Sequence, residues 1–340
     1  MCGYYEEEVI KDTPARAAYK AGIDGFIENA RARAEKERDR YLTPEKLLKK
    51  RDFYKKAFVD MLGFPLSCPP ASGKTDMEKT FVVKDKNVNI FRMRLEIAGI
   101  PFYGILLEQE NKDAQTPFVV CLHGGQGTPE MICGMHLGSA NYNQLARRLT
   151  DRGCSVFCPQ LLLWDTQRYG NVFDRKDIDA KLKQLGGSVT ALELYLLSRA
   201  IDCFAENGIC GKRLGVAGLS YGGMYALHLA AYDERICACL AEGQFNDRFR
   251  YSWTDWSYRG ALKKFGDAEV AALICPRALA VCVGSNDELF CAETAKAEAE
   301  RVKPFYKTFG KENNFVFYVF EGVHEADRGD RGINFLLSHL

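Results

Sequence analysis

No run of roughly eighteen uncharged apolar residues occurs in the 340-residue chain, so no membrane-crossing helix is expected. Charge of one sign is not in excess either. Lys+Arg 46 against Asp+Glu 45 leave a formal charge of +1, which gives no electrostatic footprint for nucleic acid or for an anionic membrane surface. Internal repeats and low-complexity tracts are missing, which removes repeat architectures. The start, Met1-Cys2-Gly3-Tyr4-Tyr5, lacks a cationic segment followed by an apolar one, so the expectation is a reduced, cytoplasmic protein. Metal-binding spacing is lacking too. Cys237-x-Cys239 and Cys154…Cys158 do not match a zinc knuckle, and no histidine lies near them in sequence. With Cys121 and Cys282 they read as small hydrophobes in strands, and neither a metal nor a cofactor is expected.

What is present suits a large α/β protein, with 47% hydrophobic residues to build a core. Residues 1–75 read as a helical extension. The charged run at 32–40 forms a solvated face, and a second helix starts at Thr43-Pro44 with Leu47, Leu48, Phe53, Tyr54, Phe58 and Leu62 as one apolar stripe. Such an extension braces the main domain or serves oligomerisation, and a homo-oligomer is left open. Cys68-Pro69-Pro70-Ala71-Ser72-Gly73 reads as a linker. From Lys79 the period changes to two, giving antiparallel hairpin strands. Apolar strands then alternate with helices from Pro117 to the end. Residues 76–340 are therefore expected to form a mostly parallel twisted sheet with helices on both faces and antiparallel strands at one edge.

In such a sheet the working site lies beyond the carboxyl ends of the strands. After the apolar Leu214–Ala217 run comes Gly218-Leu219-Ser220-Tyr221-Gly222-Gly223, a serine on a sharp strand-to-helix turn. A free serine hydroxyl is a poor nucleophile and needs a base, which in turn needs an acid to orient it. Of five histidines, His324 alone follows a strand downstream of the serine. His228, His136 (at a helix start) and His339 read as packed or exposed, and His123 as structural. Asp287, after the preceding strand, supplies the acid, with Glu242 or Asp247 as the alternative. The backbone N–H of Tyr221, paired with that of Gly125 or Gln126 from His123-Gly124-Gly125-Gln126, would form an oxyanion hole. An aromatic stretch at about 243–268, with Phe245, Trp253 and Trp256, reads as a lid-like insertion. Together with Trp164 it supplies candidate substrate-binding faces.

These motifs, with Leu273-Ile274-Cys275-Pro276-Arg277 leading into a strand and Gly322-Val323-His324 near the end, resemble the α/β-hydrolase superfamily from about residue 45 onward. The similarity is to its acetyl-xylan-esterase-like and dienelactone-hydrolase-like branch. Ser220-Tyr221-Gly222-Gly223 is also similar to the prolyl-oligopeptidase group. The first resemblance implies cofactor-free ester hydrolysis through an acyl-enzyme on a small-molecule ester, with acylated carbohydrate as first choice. A peptidase or amidase of the same fold and a hydrolase-fold binding protein are the competing readings.

Overall fold

The computed structural model describes residues 3, 7–68, 75–136, 140–251 and 253–340. Two helices open the chain, α1 (Thr13–Tyr41) and α2 (Pro44–Leu62). Among the described residues the strands are β1 (Asp76–Asp85), β2 (Val88–Ile97), β3 (Ile100–Gln109), β4 (Phe118–Leu122), β5 (Ser155–Pro159), β6 (Leu214–Leu219), β7 (Ile236–Glu242), β8 (Ala278–Gly284) and β9 (Phe315–Phe320). All belong to one sheet in the order β1-β2-β3-β5-β4-β6-β7-β8-β9. The pairings from β1 to β2, β3 and β5 are antiparallel, and those from β5 through β4, β6, β7 and β8 to β9 are parallel.

Burial follows that topology. Every residue of β4, β5, β6 and β8 is buried, as required of central strands with helices on both faces, whereas the edge strand β1 is largely exposed. One core cluster packs α2 and the helices Val189–Glu206, Tyr221–Tyr232 and Asp267–Ile274 against one face. The other places Ile333 and Leu336 of the last helix, with Leu145 and Leu149, against the opposite face.

The amino-terminal helices dock by different means. Thr43 Oγ1 accepts the Lys46 N–H at the start of α2, and Pro44 fills the first position. Leu47, Tyr54, Phe58 and Leu62 are buried, each contributing about 1.5–3 kcal/mol relative to exposure. The expected stripe is narrower than the sequence suggests, because Leu48 and Phe53 face solvent and the helix leaves regular geometry at Lys50. On α1 the 32–40 segment is not simply solvated. Arg38 is buried, with Nε 2.5 Å from Glu269 and Nη2 2.5 Å from Glu298. A helix whose sequence offers few apolar residues is thus anchored by a desolvated ion triad. Of the expected linker, Cys68 is described and residues 69–73 lie outside the described residues, as does Cys2. Among the described residues no helix is long and apolar enough to cross a membrane.

Candidate active site

β6 ends at Leu219 and a helix begins at Tyr221, which leaves Ser220 alone on the turn with φ 61° and ψ −121°. A non-glycine residue there costs on the order of 1–3 kcal/mol and persists only where its surroundings impose it. They do so here. Ser220 N–H donates to Glu242 O at 2.8 Å, and Ser220 O accepts the Met224 N–H at 2.9 Å. A Cβ on Gly222 would stand 1.9 Å from Leu122 O, and one on Gly218 2.3 Å from Gly222 O. The elbow closes only because both are glycine.

The loops after β8 and β9 are stitched together by Ser285 N–H to Phe320 O at 2.8 Å and Asn286 N–H to Gly322 O at 2.9 Å. This pairing sets Asp287 Oδ2 2.9 Å from His324 Nδ1. Asp287 Oδ1 accepts the N–H groups of Leu289 and Phe290 at 2.8 Å each, so neither carboxylate oxygen is free to rotate away. Phe290 stacks on the His324 ring at 5.5 Å and 29°. With a proton on Nδ1 held by the carboxylate, Nε2 is left as the acceptor.

Ser220 and His324 each touch the end of β7. Glu242 O holds the Ser220 amide, and the next residue, Gly243, lies against the imidazole, where a Cβ would be 3.4 Å from His324 Cε1. Among the described residues no hydrogen bond joins Ser220 Oγ to His324, so of the candidate triad only the Asp287–His324 bond is made. Hydroxyl-to-imidazole bonds often tighten only with substrate bound. The alternative acids lie elsewhere. Asp247 pairs with Arg31 at 2.6 Å. Glu242 is fully buried, and burial, followed by the charge of Asp327, pushes its carboxyl up to about 8.

The oxyanion candidates separate. Gln126 N–H donates to Leu163 O at 2.6 Å, so it is already used and drops out. The N–H of Gly125 and that of Tyr221 have no acceptor among the described residues, and Gly125 packs on the Tyr221 ring. His123 supports this loop, as expected. Leu161 N–H donates to its Nε2 at 3.0 Å, which places the proton on Nδ1, 2.9 Å from Gly124 O. Burial lowers this imidazole to about 4, so it stays neutral. Gly124 N–H donates to the Tyr142 hydroxyl at 3.0 Å.

The candidate substrate-binding aromatics also divide. Phe245 is completely buried in the core and presents no face to a ligand, because the chain turns inward after β7 through Gly243 (φ 53°) and Phe245 (φ 142°). Trp253 is half-buried and stacks on Tyr221 at 5.7 Å and 15°. Trp256 is buried edge-on to Tyr221 at 5.0 Å. Trp164 neighbours the oxyanion loop through a strand bridge to Gln126, and its ring packs on Phe173. His136 lies on a bend beyond the helix Pro129–Ile132 rather than at a helix start.

Sequence reasoning missed the polar node beneath Tyr221. Arg175 donates to Asp255 Oδ2 at 2.8 Å, Glu193 Oε2 at 3.0 Å, Tyr225 Oη at 2.7 Å and Leu162 O at 2.9 Å, with its guanidinium 5.6 Å from the Tyr221 ring centre. It ties the insertion, the helix Val189–Glu206 and the loop after β5 to the residue carrying a candidate oxyanion donor. No local pattern marks Arg175, which begins a short charged helix.

Residues 102–242 match the dienelactone hydrolase family. No curated protein matches the sequence. Among solved structures, a proposed acetyl xylan esterase from Bacteroides fragilis is similar at TM-score 0.67 and 15% identity over 87% of this chain and 83% of that one. A glucuronoyl esterase from Solibacter usitatus is similar at TM-score 0.65 and 12% identity over 87% of this chain and 93% of that one. The methylesterase BT1017 is similar at TM-score 0.65 and 16% identity over 91% of this chain and 67% of that one.

Proposed function

We propose that this chain, which has the α/β-hydrolase fold and a dienelactone hydrolase family match over residues 102–242, is a serine carboxylester hydrolase acting on a small ester. The observation that carries the reading is the Asp287–His324 hydrogen bond beside a serine held in an elbow conformation. Ser220 Oγ attacks the ester carbonyl carbon as His324 Nε2 takes its proton, and Asp287 holds the imidazolium that forms. The tetrahedral oxyanion faces the N–H groups of Tyr221 and Gly125, one such donor being worth roughly 3–4 kcal/mol. Collapse expels the alcohol, which takes the proton from His324. Water, deprotonated by the same imidazole, then releases the acid and restores Ser220.

Acylated carbohydrate is the favoured substrate class. The half-buried Trp253 ring beside Tyr221 offers a flat amphipathic face at the site, and the similar structures named above are described as esterases, one of acetyl xylan. The test is labelling by a fluorophosphonate probe together with hydrolysis of p-nitrophenyl acetate. Both should be lost in Ser220→Ala, with turnover falling roughly 10⁶-fold. Native protein that neither labels nor turns over would refute the proposal, and preference for an anilide would transfer it to an amidase. A series from acetyl to octanoyl esters reads pocket depth.

A further inference from the structure

Every residue of α1 from Thr13 to Asn29 is exposed, and the first buried one is Ala34. The ion pairs of Arg16 and Lys20 are local, with Asp12 and Asp24. Helices in proteins draw most of their stability from packing an apolar face, and an unpacked segment of this length is marginal in water. Gly22 and Gly25 weaken its helical preference further. Within a single chain this segment lacks the packing that would hold it.

An apolar face is nevertheless present. Tyr19, Ile23, Phe26 and Ala30 recur at helical spacing and share one side of the helix, with Ile27 at its edge. Tyr19 is 75% exposed and Phe26 69%. Phe26 and Ala30 also line the cavity between α1 and the 248–266 insertion, so the face is continuous with an apolar wall of the body. The face has a two-fold pattern. About the midpoint between Gly22 and Ile23, Tyr19 mirrors Phe26 and Ala15 mirrors Ala30. At the centre a Cβ on Gly22 would meet nothing within 4 Å, which leaves room for a facing backbone. Charge follows the same symmetry with opposite sign, since Arg16 and Lys20 lie before the midpoint and Asp24 and Glu28 after it. A surface complementary to itself under a two-fold axis is what a contact between identical chains requires. A helix that lies on lipid would instead carry a cationic polar face, whereas these four charges cancel.

We propose that α1 is a dimerisation arm, pairing antiparallel with the same helix of a second copy of this chain about the Gly22–Ile23 midpoint. Tyr19 then packs beside the partner's Phe26, and Lys20 falls about 1.5 Å along the axis from level with the partner's Asp24. Parallel pairing would set cation against cation. Each arm is anchored to its own sheet domain near its carboxyl end, through Arg38, so antiparallel pairing keeps the two domains apart. The proposal does not depend on the esterase reading.

The test is sedimentation velocity of the full chain over a concentration series. A reversible monomer–dimer equilibrium is expected at micromolar concentration. Tyr19→Asp with Ile23→Asp should weaken it roughly tenfold or more while thermal melting of the sheet domain is kept. Two charge-reversed chains decide the direction of pairing. Arg16→Glu with Lys20→Glu makes all four positions acidic, and Asp24→Lys with Glu28→Lys makes all four basic. Each alone should dimerise roughly tenfold more weakly than the native chain, and an equimolar mixture should recover the native affinity as a heterodimer. A monomer at every concentration would overturn the proposal. That includes a monomer whose binding to phosphatidylglycerol vesicles or to another protein is lost with the Tyr19 and Ile23 changes, which would give this face a different occupant. A dimer indifferent to those changes would overturn it too, as would charge-reversed chains that fail to recover on mixing.

Discussion

Asp287 holds His324 Nδ1 at 2.9 Å with one oxygen and caps two consecutive amides, those of Leu289 and Phe290, with the other. The carboxylate is thereby fixed before any substrate arrives, and the imidazole inherits its orientation from the loop after β8.

Asp287→Asn tests that inheritance. The amide can keep the shape of the loop, but its NH₂ can face Nδ1 and favour the wrong tautomer, so turnover should fall roughly 10⁴-fold. Steady-state hydrolysis of p-nitrophenyl acetate, with a thermal melt to show an intact fold, is the check. A loss below tenfold would leave Asp287 without the orienting role.

Gly222→Ala should damage folding as well as activity. Its new methyl would have to displace the Leu122 carbonyl oxygen, now 1.9 Å from the Cβ position, and backbone there is hydrogen-bonded sheet. Overpacking of this kind costs about 1–3 kcal/mol, occasionally more. Urea unfolding measures it.

Glu242 makes stability depend on pH in a stated direction. Its folded carboxyl titrates at about 8, against an ordinary value of 4.5. Below 4.5 both folded and unfolded chains carry the proton, and Glu242 contributes no pH dependence. Between 4.5 and 8 the unfolded chain gives up the proton while the folded chain keeps it, so stability declines as pH rises. Above 8 the loss levels off. Glu242→Gln should remove this decline, so its gain over the native chain grows from pH 5 to pH 8 in denaturant titrations. A pH-independent difference would contradict the assignment.

Arg38→Met should cost about 3–5 kcal/mol, because it leaves Glu269 and Glu298 buried without their cation. Release of α1 should then appear as new protease cleavage near residues 13–41 before the sheet domain unfolds. Unchanged cleavage and melting would mean that α1 is held chiefly by other contacts.

The strands, their order along the chain and the serine elbow were legible from sequence because each is a local signal. Continuous apolar runs mark strands buried on both faces, and Gly218-Leu219-Ser220-Tyr221-Gly222 marks a turn only glycine can close. What sequence left open was decided by contacts between residues far apart. Asp287 rather than Glu242 or Asp247 reaches His324, because the β8 and β9 loops are stitched side by side. Gln126 is lost as an oxyanion donor to a carbonyl on a loop thirty-odd residues away, and Phe245 is lost as a substrate face because the chain turns inward there. Arg38 read as part of a solvated run and Arg175 carried no local signal; their carboxylate partners, distant in sequence, close around both. Periodicity reports which side of an element is apolar. Which polar group meets which is fixed only when the sheet brings its loops together.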